Sequence, residues 1–291
     1  MTQDNQPSTM RVGYIGLGTM GEPMARNVVA AGFPTTVFDV NPAALARFAA
    51  IGSAIARSPR EVAEQCDVIL VNVVNDAQVE QVVAASGTGL LGALRPGAVV
   101  VIHSTIHPET CRRLAVSVEA NGAGLIDAPF TGGPAAAAAG TLALLVGGKE
   151  GCVATARPVL EAQGTIIHLG EVGTGEVAKL GNNLVLGITI HAVHEAILLA
   201  AGAGLDAGAM LNVLKSGAAD CWAARNWEGV GRMAAGYPGG VAGLDALTRK
   251  DLALALDVAG DEIALPVTAA AGTDFQRPYA AALAGLDPEG S

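Results

Sequence analysis

Near the N-terminus, Gly16-Leu17-Gly18-Thr19-Met20-Gly21 forms a G-x-G-x-x-G pattern. It follows the short apolar run Val12 to Ile15 and opens a helical pattern from Glu22 to Ala31. That is the context in which such glycines hold a dinucleotide. The first glycine permits a tight turn, the second lets a pyrophosphate approach the backbone, and the third lets the helix lie close to the strand. Amide groups at the helix start then face the anion. Asp39 ends the next strand-like run, Thr35 to Phe38. A carboxylate there accepts hydrogen bonds from the adenosine ribose hydroxyls and repels a 2′-phosphate. Val40-Asn41-Pro42, which follows, offers no arginine to such a phosphate. NAD is therefore the expected cofactor, in preference to NADP.

Composition narrows the partners. The 291 residues carry 17 Lys and Arg against 27 Asp and Glu, a formal net charge of −10, with no basic run. This argues against nucleic acid. A small anionic substrate would need local positive groups, and the only lysines are Lys149, Lys179, Lys215 and Lys250. Cys66, Cys111, Cys152 and Cys221 show neither a disulfide framework nor metal-ligand spacing. His191 and His194 share a helix face without a third ligand at suitable spacing, so no metal is expected. Residues 1–10 lack the basic and apolar segments of a signal peptide. The longest apolar stretch, Leu184 to Leu205, contains His191, His194 and Glu195, which suits a helix buried in protein better than a membrane span. A cytoplasmic protein with no membrane partner is expected.

The elements that must position these residues alternate in the first half. Strand patterns occur at Val12 to Ile15, Thr35 to Phe38, Val68 to Val74, Val99 to Ile102 and Leu125-Ile126, with helical patterns between them. This predicts a parallel, doubly wound sheet of the Rossmann type. Two further strands are expected at Thr141 to Val146 and Thr165 to Leu169. The alanine run Ala135 to Ala139 reads as a helical turn. Beyond about Gly170 strand-like runs nearly vanish, and a long helix is expected from about Glu176 to Ala203. The expected fold class is thus α/β, with a dinucleotide-binding domain at 11–170 and an all-α domain at 171–291. The tail after Asp287 is expected to fray.

Four motifs in order resemble the β-hydroxyacid dehydrogenases, the family that includes 3-hydroxyisobutyrate dehydrogenase and tartronate semialdehyde reductase. They are Gly16-Leu-Gly-Thr-Met-Gly-Glu-Pro-Met-Ala25, Asp127-Ala-Pro-Phe-Thr-Gly-Gly133, Gly173-Thr-Gly-Glu-Val-Ala-Lys-Leu-Gly-Asn-Asn183 and Lys250-Asp-Leu-Ala-Leu254. The resemblance spans about residues 11 to 260. It implies hydride transfer between NAD and a short 3-hydroxy acid or the matching semialdehyde, with Lys179 and Asn183 catalytic. It also implies substrate binding at Thr131, Gly132, Gly133 and Asn183. Cofactor contacts are implied at Gly16, Leu17, Gly18, Met20, Gly21, Asp39, Val73, Val74 and Thr105. Lys250 is expected to reach the cofactor and substrate from the helical half, which would also carry a homodimer or homotetramer interface.

The chemistry suits these residue types. Lys179 and Asn183 lie four apart and share a helix face. A lysine amine beside a carbonyl oxygen can give or take the proton that accompanies hydride transfer. Successive glycine amides and the Thr131 hydroxyl can cradle a carboxylate. Gly175, one turn before Lys179, would leave that face open to a cofactor. Three departures from the family pattern stand out. Thr131 replaces the commoner serine, His103 replaces a commonly acidic residue, and no Phe occurs in Tyr237 to Gly243, leaving Trp222 or Tyr237 to fill an aromatic position before Lys250. Two alternatives share the architecture. Imine reductases usually carry Asp or Tyr at the Lys179 position, and non-catalytic dinucleotide-binding scaffolds lack the lysine.

Overall fold

The computed structural model describes residues 9–285; the expected fraying after Asp287 lies outside them. The described residues form two compact units, divided between Lys179 and Leu180. The division falls inside one long helix, somewhat beyond the boundary expected near residue 170.

The first unit is built on a nine-stranded sheet. Its elements are β1 Val12–Ile15, α1 Gly21–Ala30, β2 Thr35–Phe38, α2 Pro42–Ala49, β3 Ala54–Ile55, α3 Pro59–Gln65 and β4 Val68–Val71. There follow α4 Asp76–Ala84, β5 Val99–Ile102, α5 Pro108–Glu119, β6 Gly124–Asp127 and β7 Phe130–Thr131. The last are α6 Gly133–Ala139, β8 Leu142–Gly147, α7 Glu150–Glu161, β9 Gly164–Gly170 and the start of α8, Thr174–Gly202. The strand order is β3-β2-β1-β4-β5-β6-β8-β7, with β9 added on β8.

Continuous apolar strands fit a sheet covered on both faces. Val12, Tyr14, Val68, Leu70, Val99 and Val101 face one apolar cluster, which also takes Met24, Val28 and Phe48 from α1 and α2. Ile15, Ile69, Val71, Val100 and Ile102 face the other, against Val62, Val79, Leu114 and Val118. Strand β4 stops at Val71 rather than running to Val74. The Val73 N–H leaves the ladder and donates to Ser104 Oγ at 2.8 Å.

The sheet is parallel through β3, β2, β1, β4, β5 and β6. It departs from the all-parallel expectation at β8, which runs antiparallel to β6 and β7. The connection from Asp127 to Leu142 holds only the short β7 and α6, not a full crossover helix. Gly132 and Gly133, at φ +136° and +73°, turn it back. Few other residues adopt that backbone.

The start of α8 is fixed from within this unit. Asp127, fully buried at the end of β6, accepts the Gly173 N–H at 2.7 Å and the Glu176 N–H at 2.9 Å. These are among the donors that a helix start leaves without intrahelical partners. The role of Gly175 follows from the same contact. A Cβ on it would stand 2.2 Å from the Leu145 carbonyl oxygen and 2.8 Å from Asp127 Oδ2. The glycine lets the helix touch the sheet end; it is not an opening for cofactor.

The second unit contains the rest of α8 with α9 Ala207–Ser216, α10 Trp222–Arg225, α11 Trp227–Gly236, α12 Gly240–Ala259, α13 Pro266–Ala271 and α14 Gln276–Ala284. Its core gathers Ile190 and Val193 of α8 with Trp227, Val230, Leu252, Phe275 and Tyr279. By length and apolar composition alone α8 could cross a membrane. His191 and His194 instead take ring partners inside this unit, Phe275 at 4.4 Å and Trp227 at 6.4 Å between centroids.

Replacing Asp127 by Asn removes one acceptor and turns an amide toward backbone donors. Leaving a buried donor unmatched costs roughly 1–3 kcal/mol. Asp127→Asn is expected to lower the unfolding free energy by about 2 kcal/mol in urea titration.

Candidate active site

The glycine loop divides its tasks as its spacing predicts. Gly16 sits at φ +94°, and a Cβ there would lie 2.1 Å from the Asn72 carbonyl oxygen. A Cβ on Gly21 would lie 2.1 Å from the Gly16 carbonyl oxygen, so α1 is closed down on the loop. Gly18 alone of the three has nothing within 4 Å of that position. The space the fold keeps open is at the residue a pyrophosphate must approach. Helix α1 begins at Met20 and Gly21 without a side-chain cap, which suits an anion as the partner of its first amides. These residues fit a dinucleotide.

Asp39 turns toward the same loop. Its Oδ2 accepts the Leu17 N–H at 2.5 Å and its Oδ1 accepts the Asn41 N–H at 2.7 Å. A carboxylate has about four acceptor sites, so capacity remains for ribose hydroxyls. Val73 and Val74, placed just beyond β4, spend their amides on Ser104 Oγ and on Gln78 Oε1 at 2.9 Å. What they offer a ligand is carbonyls and side chains, with Val74 59% exposed. Thr105 is half-buried, two residues past His103.

His103 is buried at the end of β5. Its Nδ1 lies 2.6 Å from the Ala128 carbonyl oxygen and therefore carries the proton. Its ring meets Phe130 edge-on, with centroids 5.9 Å apart. The histidine thus ties β5 to the Asp127–Gly133 segment. Burial pushes its pKa down to about 4, against the pull of the carbonyl. Asp127, at the head of that segment, is pushed up to about 6 by burial, while the Gly173 and Glu176 N–H bonds oppose the rise. Thr131 is half-buried after it. Gly132 precedes α6 without a side-chain cap, and Gly133 has open space at its Cβ position.

Lys179 is half-buried on α8, six residues beyond Gly173, and Asn183 follows one turn later on the same helix. In the helical unit Asn183 Nδ2 donates to Asp251 Oδ2 at 2.7 Å, and Asn182 Nδ2 donates to Asn183 Oδ1 at 3.0 Å. Lys250 pairs with the other Asp251 oxygen at 2.9 Å. Asp251, 6% exposed, holds Asn183 and Lys250 together and was visible in the sequence only as the middle of K-D-L. Tyr237 lies near it. Burial and then the Asp251 charge raise the phenol pKa, so Tyr237 fits the aromatic position better than Trp222, which is 50% exposed.

Sequence reasoning also missed Arg26 and Arg47. Both reach Glu22 beside the glycine loop, Arg47 from α2 at 2.6 Å and Arg26 from α1 at 2.9 Å. The E-x-x-x-R spacing was the only available signal, and it covers just Arg26.

The folded pKa of His103 lies below its unfolded value, so the unfolded chain binds the extra proton. The His103 contribution to stability is then complete above about pH 6.5 and declines as pH falls toward 4. The loss is about 3 kcal/mol. Urea midpoints across this range should fall more steeply for the wild type than for His103→Gln.

Comparison with known proteins identifies the family. The family model for the NAD binding domain of 6-phosphogluconate dehydrogenase matches residues 11–173. The model for NAD-binding of NADP-dependent 3-hydroxyisobutyrate dehydrogenase matches 173–289. A probable mitochondrial 3-hydroxyisobutyrate dehydrogenase of Dictyostelium discoideum is 39% identical over 87% of this chain and 80% of its own. An NAD-dependent L-serine dehydrogenase of Pseudomonas aeruginosa is 36% identical over 86% of this chain and 85% of its own. The structure of Mycobacterium tuberculosis 3-hydroxyisobutyrate dehydrogenase with L-serine superposes with a TM-score of 0.79 at 33% identity, covering 91% of this chain and 92% of that one. With a glycine loop shaped for a dinucleotide and all four motifs in place, the chain belongs to the 3-hydroxyisobutyrate dehydrogenase family of β-hydroxyacid dehydrogenases, NAD-dependent oxidoreductases of short hydroxy acids.

Proposed function

We propose that the protein oxidises a short 3-hydroxy acid of the 3-hydroxyisobutyrate or serine type, with Lys179 taking the hydroxyl proton. The observation that carries this reading is the Asp127 cap. One buried carboxylate fixes the start of the lysine-bearing helix and heads the segment that presents Thr131, Gly132 and Gly133. The relatives point the same way, since they are named for 3-hydroxyisobutyrate and for L-serine. Both compounds carry a carboxylate and a β-hydroxyl, and differ in a methyl against an ammonium on the α-carbon.

Thr131 and the Gly132 and Gly133 amides receive the substrate carboxylate. The neutral Lys179 amine accepts the hydroxyl proton, and Asn183, held by Asp251, steadies the oxygen. NAD, when bound, supplies the hydride acceptor. The carbinol carbon thereby loses one hydride and its oxygen one proton, leaving the semialdehyde. Reduction runs the same path backwards, with the lysine ammonium as proton donor.

A second part of the proposal concerns assembly. The helical unit leaves Leu198, Leu199, Val213 and Trp222 exposed, Leu199 to 76%. Large exposed apolar surface marks an interface, and we assign it to further copies of this chain. Light scattering at micromolar concentration should give a dimer or tetramer mass; a monomer mass would contradict the assignment.

The chemical test uses a panel of 3-hydroxyisobutyrate, L-serine and glycerate with Lys179 variants. A free lysine titrates near ~10.4, so the oxidation rate should rise with pH as the neutral amine becomes available. Lys179→Arg should lose about 10³-fold or more in kcat, because guanidinium does not release its proton in this range. NAD affinity, followed by fluorescence, should change less than about twofold, since the pyrophosphate is held at the glycine loop. Near-normal oxidation by Lys179→Arg would remove the lysine from proton transfer.

A further inference from the structure

Beside the glycine loop lies a cleft of about 480 Å³ lined by Leu17, Gly18, Thr19, Glu22, Arg26 and Arg47, among others. Two cations face it, and one carboxylate occupies both. Arg47 donates through Nε to Glu22 Oε1 and Oε2 at 3.1 and 3.0 Å, and through Nη2 to Oε2 at 2.6 Å. Arg26 donates through Nε and Nη2 to Oε1 at 3.2 and 2.9 Å, and its guanidinium sits 5.3 Å from the Phe48 ring centre. The Arg26 pair is an ordinary i,i+4 contact on α1. The Arg47 pair is not local, since it joins α2 to α1 across 25 residues. Arg47 also feels the charge of Asp39, the residue expected at the adenosine ribose, and Asn41 lines the same cleft.

We propose that Glu22 is a cofactor-specificity residue: by occupying Arg47 and Arg26 it withholds from a ribose 2′-phosphate the guanidinium groups that would otherwise bind it. Two arginines against Glu22 and Asp39 leave no net local charge. Neutralising Glu22 leaves one positive charge and releases the Arg47 fork, whose geometry matches a phosphate. NAD selection thus has two layers. Asp39 repels the extra phosphate, and Glu22 keeps its natural counter-ions engaged. The inference goes beyond the substrate reading above and rests only on the dinucleotide site of Gly16–Gly21 and Asp39.

The test titrates NAD and NADP, without substrate, into the wild type, Glu22→Gln, Glu22→Gln/Arg47→Ala and Arg47→Ala, read by calorimetry with circular dichroism as a folding control. Glu22→Gln should tighten NADP binding by about tenfold, which corresponds to about 1.4 kcal/mol, with NAD affinity within about twofold. The double variant should return to the wild-type NADP affinity. Arg47→Ala should leave both affinities within about twofold, and this arm stands even if Glu22→Gln fails to fold. Unchanged NADP affinity in Glu22→Gln would overturn the proposal. So would equal tightening of both dinucleotides, which would place the arginines on the shared pyrophosphate. A large loss of NAD affinity in Arg47→Ala would overturn it as well. A wild type that binds neither dinucleotide would overturn the cofactor site along with it.

Discussion

The Asp127 carboxylate is the point on which the rest of the site depends. It lies at the end of β6, fully buried, and its strongest partners are backbone amides 46 and 49 residues further along. Those amides open α8, the helix that carries Lys179. A helix start cannot leave several donors buried without acceptors, so the axis and register of α8 are set by where this carboxylate sits. The sheet sets that position in turn, through the β5–β6 register that pairs Ile102 with Asp127. Gly147 and Gly175 complete the constraint, because a Cβ at either would strike Asp127 itself. His103 adds a brace between β5 and the same segment.

Much of this was legible in the sequence. The glycine loop reads directly because each glycine answers a local steric demand, and the structure separates those demands into two closed positions and one open one. The strands read directly because burial on both faces leaves uninterrupted apolar runs. Helix α8 was placed to within two residues at each end by its pattern. Less legible were features set by distant contacts. The reversal of β8 depends on a short connection and two glycines, which the pattern of apolar residues does not report. The expected continuation of β4 to Val74 failed for a related reason: the Val73 N–H turns to the Ser104 hydroxyl instead of the ladder. Asp127 heads the Asp127–Gly133 motif, yet nothing local marks it as the cap of a helix beginning near residue 174. Arg47 lies outside any motif and meets Glu22 only because α2 returns beside α1.

Charge shows the same division between local and distant effects. The chain is strongly acidic, which opposes binding of an anionic dinucleotide or hydroxy acid at long range. Backbone is available to an anion nearby: α1 and α6 start without a side-chain cap, and Gly18 and Gly133 have open space at their Cβ positions. The cations nearest the glycine loop are already matched by Glu22.

In the proposed mechanism Asp127, by capping α8, holds Lys179 in place for hydride transfer. The most direct measurement is the single-turnover rate of NAD reduction in Asp127→Asn at saturating NAD and hydroxy acid, alongside the NAD affinity of the same protein. A displacement on the order of 1 Å at a reacting group costs about 10²-fold. A loss of that order in the single-turnover rate is expected, with NAD affinity unchanged. A folded Asp127→Asn protein that transfers hydride at the wild-type rate would contradict it.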